Sequence, residues 1–159
     1  MTPQNLPHSL ELKVPPAAVL LILAALMWLA ARAVPSLRIV VPGRILFAAS
    51  LAVAGVVVVV LGVRAFRRAR TTINPMKPSA ASALVTGGVY AVTRNPMYLG
   101  CVVVLSGWAL FLANTLAFVL LPVFILYMNA LQIGPEERAL TARFGEEFIA
   151  YQSRVRRWL

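Results

Sequence analysis

Ile45-Leu46-Phe47-Ala48-Ala49-Ser50-Leu51-Ala52-Val53-Ala54-Gly55-Val56-Val57-Val58-Val59-Val60-Leu61-Gly62-Val63 carries five consecutive valines. In water such a run favours a strand, because branched side chains fit a pleated surface. Length decides otherwise. About twenty uncharged, mostly apolar residues match the hydrocarbon core of a bilayer as a helix, and a lone strand cannot satisfy its backbone in lipid. Ala48, Ala52, Gly55 and Gly62 recur at roughly helical spacings and would let a neighbouring helix approach closely.

The rest of the chain fits this membrane reading. Of 159 residues, 60% are hydrophobic and 13% charged, too few charges to cover a water-facing surface. A first span is predicted from about Pro16 to Ala33, with Pro15-Pro16 at its start, Trp28 at interface depth, and Arg32 and Pro35 ending it. The first apolar run is expected to stay as an anchor, since Met1–Val14 lacks the features of a cleaved signal. A third span starts at Pro96 and reaches about Leu112. Ala113-Asn114 turns the chain, and a fourth span covers about Thr115 to Ile133, with Pro122 as a kink and Gly134-Pro135 as its stop. From Glu136 an amphipathic C-terminal helix is expected, interrupted at Phe144-Gly145. In it Phe148, Tyr151, Val155 and Trp158 recur beside arginines, as in an interfacial helix with Tyr151 and Trp158 in the aromatic belt.

These elements predict an all-α integral membrane bundle of about four transmembrane helices and an interfacial C-terminal helix. It would be a single membrane domain over 1–159, with an N-terminal hairpin in 1–63 and a connector, second hairpin and tail in 64–159. Net charge is +10. Arginines flank the apolar runs, so positive-inside anchoring and anionic headgroups account for them, and no nucleic-acid partner is expected. The 64–96 connector holds six Lys or Arg, the C-tail five, the 113–114 turn none. Both termini and the active site are therefore expected in the cytoplasm; Arg32, Arg38 and Arg44 count against this.

Polar groups gather in the layer that includes Gly87-Gly88-Val89-Tyr90-Ala91-Val92-Thr93-Arg94-Asn95-Pro96-Met97-Tyr98-Leu99-Gly100. Asn74, Ser82–Val85, Asn129, Gln132, Glu136 and Glu137 join it. Cys101 is the only cysteine and His8 the only histidine, so no metal site is expected. Cys101 is read as an inert buried thiol and His8 as a solvated loop residue. There is no G-x-S-x-G, H-E-x-x-H, Walker loop or G-x-G-x-x-G. A zwitterionic amino-acid end wants a carboxylate for its ammonium and an arginine for its carboxylate; Glu137 and Arg94 could supply them. An adenine wants apolar walls, which Leu84-Val85 and Tyr90 could supply. S-adenosylmethionine has both ends, and methyl transfer from its sulfonium needs mainly positioning and exclusion of water.

Gly-Val-Tyr, three residues, then Arg-Asn-Pro-Met-Tyr-Leu-Gly, a hairpin, Glu-Glu, Phe-Gly and an aromatic-arginine tail resemble the isoprenylcysteine carboxyl methyltransferase and phospholipid methyltransferase superfamily over about residues 64–159. The resemblance implies an S-adenosylmethionine pocket facing the cytoplasm and a lipophilic acceptor entering from the bilayer. It places cofactor contacts on Asn74, Ser82, Ala83, Leu84, Val85, Tyr90, Asn95, Pro96, Met97, Tyr98 and Glu137, and Glu136, the other member of the acidic pair, is taken as a further cofactor candidate. Arg94 is assigned to the reacting site, with Asn129 and Gln132 on the acceptor side. Asn95 stands where the eukaryotic carboxyl methyltransferases have histidine. Gln132-Ile133-Gly134-Pro135 lacks their substrate arginine, which counts against a prenylcysteine carboxylate. Carboxylate, amine, thiol and phospholipid headgroup stay open as acceptors. The alternatives are an NADPH-dependent sterol-type reductase, normally longer, and a non-catalytic membrane scaffold.

Overall fold

The computed structural model describes residues 11–72 and 74–159; His8 lies outside them. Helix α1 spans Pro16–Ala33, α2 Arg44–Arg68, α3 Pro96–Leu112 and α4 Thr115–Tyr127. A π-helical turn, Met128–Ile133, leads into α5, Gly134–Phe144, and α6 is Glu146–Arg154. Among the described residues there is no strand. Pro16–Ala33, Arg44–Arg68 and the continuous run Thr115–Phe144 are long and apolar enough to cross a membrane, and Pro96–Leu112 is a shorter apolar helix. The protein is an all-α membrane bundle.

The valine run is helical, and its small residues form a seam with α3. A Cβ on Gly55 would stand 2.6 Å from the Gly100 carbonyl oxygen, and a Cβ on Gly100 would stand 2.6 Å from that of Gly55. One on Gly107 would meet the Ala48 carbonyl oxygen at 2.8 Å. Glycine on both sides brings the two backbones together, giving dispersion contact that lipid cannot match. On its other side α3 meets α1 and α4. Met27, Leu105, Ala109, Phe124 and Met128 close that core, and the Trp108 indole donates to the Ala24 carbonyl at 3.0 Å.

The α3–α4 turn forms as expected. Ala113 adopts the left-handed conformation that ends α3 (φ 48°), and the Asn114 side chain accepts from Leu116 N–H at 3.0 Å, capping α4. The other end of α4 corrects the sequence reading. Gly134-Pro135 does not stop the helix, which continues to Phe144. Proline withholds the N–H that would bond four residues back, and two adjustments absorb the loss. Gly134 N–H bonds Asn129 O, five residues back, in the π turn. Leu131 O accepts instead from Leu12 N–H at 3.1 Å.

In the C-terminal region the expected interruption falls at Gly145, whose φ of 53° suits glycine, and separates α5 from α6; the correction is that Val155 and Trp158 lie past the end of α6 and not on a helix. Residues beyond Arg154 are not helical.

Gly100→Ala tests the α2–α3 seam. It is expected to cost about 1–3 kcal/mol through overpacking against backbone. Reversible unfolding in mixed micelles would measure this, and an unchanged midpoint would contradict the seam.

Candidate functional site

Asn95 precedes α3, where proline at the first helical position needs no N–H partner. This sets the Thr93-Arg94-Asn95 segment against the end of the chain. Arg94 N–H donates to Arg156 O at 3.0 Å. One of its terminal nitrogens donates to Gln152 O at 3.0 Å and Val155 O at 2.8 Å, and the other reaches Glu137 Oε1 at 2.8 Å. Asn95 Nδ2 and Thr93 Oγ1 both donate to Arg157 O, at 2.9 and 3.3 Å. The tail then returns its own cation, since Arg157 pairs with both oxygens of Glu137. Glu137 is thus held by two guanidiniums.

Its neighbour Glu136 is treated differently. Glu136 Oε1 accepts from Tyr98 Oη at 2.5 Å and from Gln132 Nε2 at 2.5 Å. Among the described residues no cation pairs with it. Gln132 Nε2 also donates to Pro75 O at 2.9 Å, which fastens the connector to the carboxylate.

A pocket of about 830 Å³, open solvent at its mouth included, lies between these groups. Its polar side carries Arg94, Asn95, Glu136 and Glu137, and its apolar side includes Ala83, Leu84, Val85, Tyr90 and Phe148. Arg94 Nε is buried with no hydrogen-bond partner, a donor that a bound anion could satisfy. Tyr90 is buried, edge-on to Phe66 at 5.3 Å, and its carbonyl accepts from Tyr151 Oη at 2.7 Å. Burial raises both phenols; Tyr151 is pushed up to about 12 although Arg94 pulls the other way, so both stay protonated near neutrality.

Of the residues singled out in the sequence, Asn74, Ala83, Leu84, Val85, Tyr90, Arg94, Asn95, Met97, Tyr98, Glu136 and Glu137 line this pocket. Four others lie off its wall. Ser82 is exposed, its N–H bonded to Thr71 Oγ1 at 2.9 Å. Pro96 is buried beside the backbone of α2 at Gly62. Gln132 is buried behind Glu136, and Asn129 accepts from the Trp158 indole at 3.1 Å. Phe66, Phe148 and Tyr151 line the pocket without having been assigned to it. Tyr151 is 4% exposed, which corrects its reading as a belt residue. The spacing of Phe148 and Tyr151 marked them as one apolar face; that this face covers a pocket depends on the fold.

The Arg94–Glu137 pair is 13% and 15% exposed at its side chains. Removing one partner of a shielded pair leaves the other charge uncompensated. Arg94→Leu is therefore expected to cost about 3–5 kcal/mol, and Arg94→Lys to recover only part of it, because lysine lacks the fork. Denaturant unfolding of both variants checks this; an Arg94→Leu protein as stable as the native one would show the clasp to be incidental.

A relative from Haemophilus influenzae (strain ATCC 51907 / DSM 11121 / KW20 / Rd), described as an uncharacterized protein, is 44% identical over 63 residues, which is 40% of this chain and all of the relative. No solved structure gives a significant match. The profile of the family described as Phospholipid methyltransferase matches residues 43–147, from the start of α2 into α6. The chain therefore belongs to the phospholipid methyltransferase family.

Proposed function

We propose that the protein is a membrane methyltransferase that binds S-adenosylmethionine in this pocket and methylates a lipophilic or small acceptor at the cytoplasmic face. The observation that carries the reading is the pairing, in one cavity, of a carboxylate with no cationic partner among the described residues and an arginine with a spare buried donor, beside an apolar wall. The family supports the same chemistry.

The residues fit the cofactor. Glu136 has no cationic partner among the described residues, so it suits the ammonium better than Glu137, whose oxygens already serve two arginines. Arg94 Nε offers a donor to the carboxylate. Tyr90 and the Ala83–Val85 segment offer apolar surface to the adenine. The bound sulfonium supplies an already activated methyl group. The chain would contribute orientation through Arg94 and Glu136, and exclusion of water through Phe66, Phe148 and Tyr151. The basic connector and tail support a cytoplasmic site.

The family description makes a phospholipid headgroup amine the first acceptor to try. Transfer of labelled methyl from S-adenosylmethionine should be followed with phosphatidylethanolamine vesicles and, separately, a panel of small amines, thiols and carboxylates. Glu136→Gln is expected to lower turnover on the accepted substrate by about a hundredfold or more, since an amide cannot offset the ammonium charge. Full activity in that variant would remove Glu136 from the cofactor site. NADPH binding in place of S-adenosylhomocysteine binding would instead favour a reductase.

A further inference from the structure

We propose that the end of the bundle remote from the pocket holds the headgroup of an anionic phospholipid. Arg32 in the last turn of α1, Arg38 in the following loop and Arg44 at the start of α2 line one notch with Trp28, Trp108 and Phe111. The notch encloses about 570 Å³, open solvent included. It lies across the bundle from the first pocket. The segment before α1 bonds the π turn beside Gln132, whereas the loop after α1 bonds the α3–α4 turn. About 25 Å of α3 separates the two ends.

The notch is built on fixed backbone. Ile39 N–H donates to Ala113 O at 2.9 Å, Asn114 Nδ2 to Val34 O at 2.9 Å, and Thr115 Oγ1 to Leu37 O at 3.3 Å. Arg38 is therefore carried by a pinned loop. Arg32 stacks over the Trp28 ring at 5.3 Å, and Trp108 stacks on Phe111 at 5.5 Å.

No acidic side chain of the protein is available to neutralise these three cations. Glu11, Glu136, Glu137, Glu146 and Glu147 are all the acids in the chain. Glu11 pairs with Arg138 in α5, and the others stand in α5 and α6. Moreover α2 begins at the notch without a side-chain cap; Arg44 N–H is taken by Val41 O at 3.2 Å, and the positive dipole end of the helix also favours an anion. A lone arginine can snorkel to any headgroup. Three from three elements at one notch select a ligand of net negative charge, and guanidinium forks match phosphate oxygens. The surroundings favour a lipid as the source: Leu29, Leu37 and Phe111 are exposed apolar side chains next to these arginines, as expected where acyl chains cover the protein, and the indoles suit headgroup depth.

The test uses the full-length protein in phosphatidylcholine nanodiscs with and without phosphatidylglycerol, with retained lipid read by native mass spectrometry. The native chain is expected to prefer phosphatidylglycerol by about tenfold or more. R32Q/R38Q/R44Q should abolish that preference, and R38Q alone, on an exposed loop side chain, should weaken it should the triple variant fail to fold. R64Q/R67Q/R68Q, which removes equal charge at the other end, should keep it. No preference in the native chain, or equal loss in both triple variants, would overturn the proposal. Inorganic phosphate that saturates the notch while phosphatidylglycerol shows no preference would also overturn it, in favour of a small-anion site.

Discussion

Arg94 joins three parts of the chain that lie far apart in sequence. Its backbone and guanidinium reach Gln152, Val155, Arg156 and Glu137, so one residue ties the start of α3 to α5 and to the non-helical tail. The tail has no regular structure of its own after Arg154, and its carbonyls need donors. Thr93, Arg94 and Asn95 supply them. Once the tail is in place, Arg157 reaches Glu137, and of the two glutamates lining the pocket Glu136 is the one with no cationic partner among the described residues. The electrostatic character of the site thus follows from the clasp. Two adjacent glutamates in one helix turn differ because one meets two arginines and the other meets a phenol and an amide.

The bundle serves this arrangement. The glycine seam between α2 and α3 brings the base of the connector close to the start of α3, where Gly62 leaves room for Met97. The π turn before Pro135 keeps the last long helix continuous, so Gln132 and Glu136 stand one turn apart and bond each other. Gln132 then holds Pro75 of the connector. Arg94, Glu136 and Pro75 in the pocket lining are each held by a bond to a different part of the fold.

The four apolar runs were legible in the sequence because lipid imposes length and satisfaction rules that override local preference, as at Val56–Val60. The small residues of α2 were legible for the same reason. Gly134-Pro135 was misread because its local tendency is to end a helix; the compensating donor, Leu12 N–H, lies more than a hundred residues away. Much of the pocket was legible from the Gly87–Gly100 stretch and the glutamate pair. The division of labour between Glu136 and Glu137 was not, since it depends on Arg157, which reads in isolation as one more headgroup arginine. Phe148 and Tyr151 showed their shared face, but an apolar stripe looks alike whether it meets lipid or a cavity.

The central claim is that a cofactor with an amino-acid end sits between Arg94 and Glu136. Calorimetric titration of S-adenosylhomocysteine into the detergent-solubilised protein, native and Glu136→Gln, tests it most directly. The account predicts saturable binding to the native protein, weakened by about tenfold or more, near 1.4 kcal/mol, in the variant. Folded native protein that takes up no S-adenosylhomocysteine would contradict it.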